Sequence, residues 1–226
     1  MGAITRTVAN NFTTGGVILP AAINNASVAS ISALSQVSSG GAEVLIKTVT
    51  ASSSANVSFV DGTSGVVLDN TYPVYKFEFI NVHPADDRIN FLMNMSADGG
   101  SNYNVTKTTN CSLTYHAETE FVSTQFEYRA DLDLAQSTGE QNIGSGLGNG
   151  NDESLSGHMF LFNPSGTTHV KQFMVVTQML EGQDMSFNSY VGGYANTTSA
   201  IDGVRFKMSS GNVDAGIIKL YGIKAS

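Results

Sequence analysis

The last quarter of the chain, Ile201 to Ile223, reads IDGVRFKMSSGNVDAGIIKLYGI and leaves few ways to fold. Val204, Phe206 and Met208 alternate with Arg205 and Lys207. Ile218 and Leu220 then alternate with Ile217, Lys219, Tyr221 and Ile223. A period of two marks a β-strand, because successive side chains leave opposite faces of the pleat. The segment between the runs is rich in residues that tolerate turn dihedrals, so the spacing predicts a closing β-hairpin. The second run is apolar on both faces, which places it inside a sheet rather than at an edge.

The same period recurs upstream. Val44–Val49 and Val57–Phe59 read as strands, and Asp61–Gly65 as a turn. Tyr75, Phe77 and Phe79 share one face of a run that ends at a turn over Asn81–Asp87, where Pro84 fixes the backbone. Ile89, Phe91, Met93 and Met95 return, with Asn90 and Asn94 on the polar side. Further strands are expected over Thr106–Tyr115, Phe121–Tyr128, Gly157–Asn163, Val170–Leu180 and Phe187–Tyr194, the last with glycine at a bulge or bend. Gln136–Asn151 carries alternating Gly144, Gly146, Gly148 and Gly150 and reads as loop. No lysine and no helix pattern follow those glycines, so they do not make a phosphate cradle. About ten to twelve short strands without helical patterns between them predict an all-β fold, an antiparallel β-sandwich of jelly-roll-like kind over residues 43–226.

Residues 1–42 differ: they are rich in small residues, with one Arg and no acid. Ile4, Val8 and Phe12 have the spacing of a short helix. Val28, Ile31 and Leu34 repeat it more weakly. Neither stretch can stand alone in water, so this segment is expected to be an extended or short-helical arm that anchors or oligomerises against another subunit.

Charge narrows the partners. Charged residues are 13% of the chain, against roughly a quarter in an ordinary soluble domain. With a net charge of −8 and no Lys/Arg cluster, binding to nucleic-acid phosphates is not expected. No apolar run is long enough to span a membrane, and the opening residues lack a secretory signal pattern. The lone Cys111 excludes an intrachain disulfide and reads as a small strand residue.

No chemistry stands out. His83, His116, His158 and His169 lack zinc-ligand spacing, although His158 and His169 flank neighbouring strands and are candidates to meet across a loop. Asp86-Asp87, Asp131-x-Asp133 and Asp152-Glu153 lack a calcium-loop pattern. No nucleophile elbow is present. The reading is therefore a non-enzyme with no catalytic residue, no metal and no cofactor. Tyr103, Tyr190 and Tyr194 lie among Gly and Asn, where an exposed ring can stack on a sugar face, and are the candidate ligand-binding residues.

The run Tyr75–Asn104, YKFEFINVHPADDRINFLMNMSADGGSNYN, is similar to virion structural proteins of marine tailed phages, especially cyanophages. So are GHMFLFNPSGTTHVKQF, the stretch from Gly192 to Ile223, and the opening MGAITRTVANN. The resemblance implies a non-enzymatic particle component of tail-fibre or head-decoration type, made in the host cytoplasm and located on the virion. Its expected partners are other virion proteins and copies of itself, as a homotrimer that covers its sheet edges. The alternative is a carbohydrate-binding module for host surface glycans, or a capsule depolymerase.

Overall fold

The computed structural model describes residues 42–119 and 125–225. Among these, twelve strands and no helix occur: β1 (Glu43–Ser54), β2 (Val57–Val60), β3 (Val74–Pro84), β4 (Ile89–Ser96), β5 (Lys107–Ala117), β6 (Gln125–Tyr128), β7 (Gln141–Leu147), β8 (Leu155–Phe162), β9 (Lys171–Glu181), β10 (Met185–Ala195), β11 (Gly203–Met208) and β12 (Val213–Ile223). Every pairing between them is antiparallel. The expected arm, with Ile4, Val8 and Phe12, lies outside the described residues.

Hydrogen-bonded neighbours run β1-β12-β3-β8-β9-β10-β5-β6 across a broad layer and β7-β4-β11-β2 across a smaller one. The pair Leu147 and Glu181 carries the path from β7 to β9. The strands are thus one sheet folded over at that seam, a nearly closed sandwich of the jelly-roll-like kind that the patterning predicts. β12 lies between β1 and β3, as its two apolar faces require.

Alternation dictates what fills the space between the layers. Phe77 and Phe79 point inward from β3, Phe59 from β2, Phe91 from β4 and Phe206 from β11, each at most 1% exposed. Phe206 touches all four others: its ring centroid lies 5.3 Å from Phe77 and 5.0 Å from Phe79 across the layers. Within its own layer it lies 6.4 Å from Phe59 and 5.9 Å from Phe91. Most of these contacts are edge-to-face, which sets the positive ring edge against the negative ring face. Around this cluster pack Met93, Met95, Met159, Leu161, Ile218 and Leu220.

Four expectations are corrected. β11 and β12 are not a hairpin: β11 pairs with β2 and β4, while β12 pairs with β1 and β3. The chain arches from one layer to the other at Ser209–Asn212, where the Ser209 N–H donates to the Asn90 carbonyl (2.9 Å) and the Ala85 N–H to the Asn212 carbonyl (3.0 Å). Alternation fixes which face of a strand is buried but not which strand lies beside it. Two apolar faces that oppose across a core have the same pattern as two that lie side by side.

The run Asn81–Pro84, read as turn, continues β3 past a register shift against β12, with Asn81 at φ 48°. Gln141–Leu147, read as loop, is β7. Its glycines reflect crowding rather than flexibility: a Cβ on Gly144 would lie 2.4 Å from Leu155 Cδ1. Gly193 makes no bulge either, since β10 keeps unbroken register with both neighbours. A Cβ there would come within 2.7 Å of the Thr108 carbonyl oxygen.

Replacing Phe206 with Ala empties the centre of both layers. Urea unfolding should show a loss of about 3–5 kcal/mol, whereas Met174→Ala, at an exposed position, should cost under about 0.5 kcal/mol.

Candidate functional site

Two features built by this topology bear on function. The first is the outer face of the broad layer. Residues opposite one another in an antiparallel pair share a face, so register assigns it. One row runs His158, Val176, Tyr190, Ser112, Tyr128 across β8, β9, β10, β5 and β6. The row beside it is Phe160, Met174, Gly192, Asn110, and on the other side Ser156, Gln178, Asn188, Thr114, Phe126. These rows hold no Asp, Glu, Lys or Arg, although the chain carries a net charge of −8.

Four large apolar side chains on this face are open to solvent: Met174 at 56%, Tyr190 at 47%, Tyr128 at 59% and Phe126 at 73%. A shallow groove of about 400 Å³ runs past Thr114, Phe126, Gln178 and Asn188. Toward β3, β12 and β1 the face turns ionic, and there the charges pair: Lys76 with Glu43 at 3.1 Å, Lys219 with Glu78 at 3.7 Å. The uncharged part therefore combines amides and hydroxyls with rings and a thioether, the last two being side chains enriched where protein surfaces meet.

The three sequence-predicted tyrosines do not form one group. Tyr190 and Tyr194 share the outer face of β10, four residues apart, or about 13 Å along the strand. Gln136 donates to the Tyr194 hydroxyl at 3.4 Å. Tyr103 sits in the connection from β4 to β5, with the Arg205 guanidinium 4.4 Å above its ring.

The second feature is a buried polar cluster that sequence patterning did not single out. Lys107, the first residue of β5, is 0% exposed. Its Nζ donates to Asn94 Oδ1 at 2.6 Å and to the Val105 carbonyl at 2.8 Å. Asn94, expected on the polar side of β4, is 1% exposed beneath it. Asn94 Oδ1 also accepts the Met95 N–H at 2.9 Å, and its Nδ2 donates to the Thr138 carbonyl at 3.1 Å. Burial pulls the Lys107 amine down to about 8, while the charge of Glu140 acts the other way. Glu140 Oε1 accepts Arg205 at 2.5 Å; its Oε2 is buried without a partner. The sequence signal was slight: Lys107 is the lone Lys or Arg of β5.

The remaining candidates are placed elsewhere. His158 stands mid-strand in β8 with its ring 5.1 Å from Phe160, while His169 lies in the loop beyond that strand, so the two do not meet. The acidic pairs are engaged with protein: Asp86 accepts Ser210, Asp131 pairs with Arg129, Asp133 accepts Tyr128 and Glu153 accepts the Gly150 N–H. Among the described residues, no group of three His, Cys, Asp or Glu side chains is arranged to hold a metal ion. Among them too, no helix is long and apolar enough to cross a membrane. No family model matches the chain, and no curated protein or solved structure matches it.

Cys111 is 2% exposed on the inner face of β5, and burial raises its thiol to about 11. At pH 8 maleimide should leave the folded protein unlabelled and react fully in urea. A raised acid contributes stability that is complete below its unfolded value near 8.5 and is lost as pH climbs toward 11. Between those limits wild type should lose about 2–3 kcal/mol relative to Cys111→Ala, measured by denaturation at each pH.

Proposed function

We propose that this chain is a non-enzymatic structural component of a tailed-phage virion, displayed on the particle as a fibre or decoration protein. The observation that carries the reading is the uncharged, ring-bearing outer face of β8, β9, β10, β5 and β6, with Met174, Tyr190, Tyr128 and Phe126 open to solvent. A face of that composition is suited to packing against protein. The stretches that resemble phage virion proteins contribute Phe77, Phe79, Phe91 and Phe206, so the resemblance falls on the centre of the fold.

Copies of the same chain are among the proposed partners, as a trimer. Among the described residues, β1 pairs with β12 alone, and none of them covers the other edge of this 12-residue strand. Such an edge is covered or blunted in proteins that stay dispersed. Residues 1–42 are assigned the anchor, through Ile4, Val8 and Phe12.

A second reading, a carbohydrate-binding module for host glycans, draws on the same face. Tyr190 offers an exposed ring, with Asn188 and Gln178 as hydrogen-bonding neighbours.

Particles assembled in a host producing tagged protein separate these readings. Full-length protein should co-purify with particles, while residues 43–226 should fold and stay behind. Incorporation of that truncated form would overturn the anchoring role. Tyr190→Glu should keep the wild-type unfolding midpoint and lose incorporation. Glycan-array binding that falls about tenfold in Tyr190→Ala, with incorporation unchanged, would instead favour the saccharide reading.

A further inference from the structure

We propose that Lys107 and Asn94 join in an intramolecular isopeptide bond that ties the broad layer to the small one. The proposal stands apart from the virion reading, since it rests on the buried cluster alone. β4 and β5 are not paired with each other: β4 lies between β7 and β11, and β5 between β10 and β6. A bond between Asn94 and Lys107 would therefore link strands of different layers.

The geometry is that of an amine held against an amide carbonyl. Lys107 Nζ is 2.6 Å from Asn94 Oδ1, and both side chains are shut off from water. A buried cation usually has a carboxylate within ion-pairing reach, yet Nζ instead contacts two neutral oxygens. Attack by Nζ on Asn94 Cγ forms one C–N bond and places negative charge on Oδ1. The Met95 N–H already points at that atom from 2.9 Å, where a donor is worth most. Collapse breaks the Cγ–Nδ2 bond. The proton lost by the amine passes to Nδ2 within the adduct, and ammonia leaves. One amide replaces another, and nothing is oxidised or reduced.

Only the neutral amine attacks. Burial brings Lys107 to about 8, with Glu140, itself held by Arg205, as the opposing charge. Bond formation should accelerate with pH and level off above that value.

Trypsin reports the bond directly, because an acylated lysine is not cleaved. Full-length folded protein should yield one peptide of residues 89–129, lighter than its sequence by one ammonia and cross-linked between Asn94 and Lys107 in fragment spectra. Lys107→Arg keeps a cation and its donors but cannot form the amide. It should give the two separate peptides, 89–107 and 108–129, at sequence mass. Peptides 89–107 and 108–129 at sequence mass from wild type held at pH 8 would overturn the bond itself. Ammonia loss confined to a succinimide at Asn149-Gly150, with normal cleavage at Lys107, would overturn it equally.

Discussion

Phe206 is where the two layers meet, and the fold depends on that meeting. It stands on a six-residue strand and is in contact with rings from β2, β3 and β4. Neither layer can bury its apolar face alone; each is the other's shelter from water. With a single cysteine, itself buried and free, no disulfide shares the task. The arches at Ser209–Asn212 and after Pro84 follow, because a chain whose inward residues must oppose each other has to cross between layers where a hairpin would keep them side by side.

Close packing explains the residues that carry no side chain. Gly144 in β7 and Gly193 in β10 lie within strands where neighbours leave no room for a methyl group. Their abundance looks like loop in the sequence but reflects close approach. Lys107, Asn94, Thr109 and Gln141 are buried together and bond to one another or to backbone carbonyls, as buried polar groups must.

The parts of the fold that were legible in sequence are those governed by alternation. Val204, Phe206 and Met208 face inward as their spacing requires, and β12 is internal as its two apolar faces require. What alternation does not encode is adjacency, which is why β11 and β12 read as a hairpin. The site was legible only in part. Tyr190 was found as an exposed ring, but the uncharged face around it is assembled by register among β8, β9, β10, β5 and β6, strands scattered along the chain. Lys107 and Asn94 are 13 residues apart with a loop between them, and nothing in their spacing announces contact.

The outer face of β8, β9, β10, β5 and β6 exposes Met174, Tyr190 and Phe126 in rows that hold no Asp, Glu, Lys or Arg, a patch suited to being covered by protein. Cryo-electron microscopy of purified particles tests this most directly. The expected result is density for the sandwich on the particle, with Met174, Tyr190 and Phe126 packed against a neighbouring subunit. Particles without this density, or with that face turned to open solvent, would contradict it.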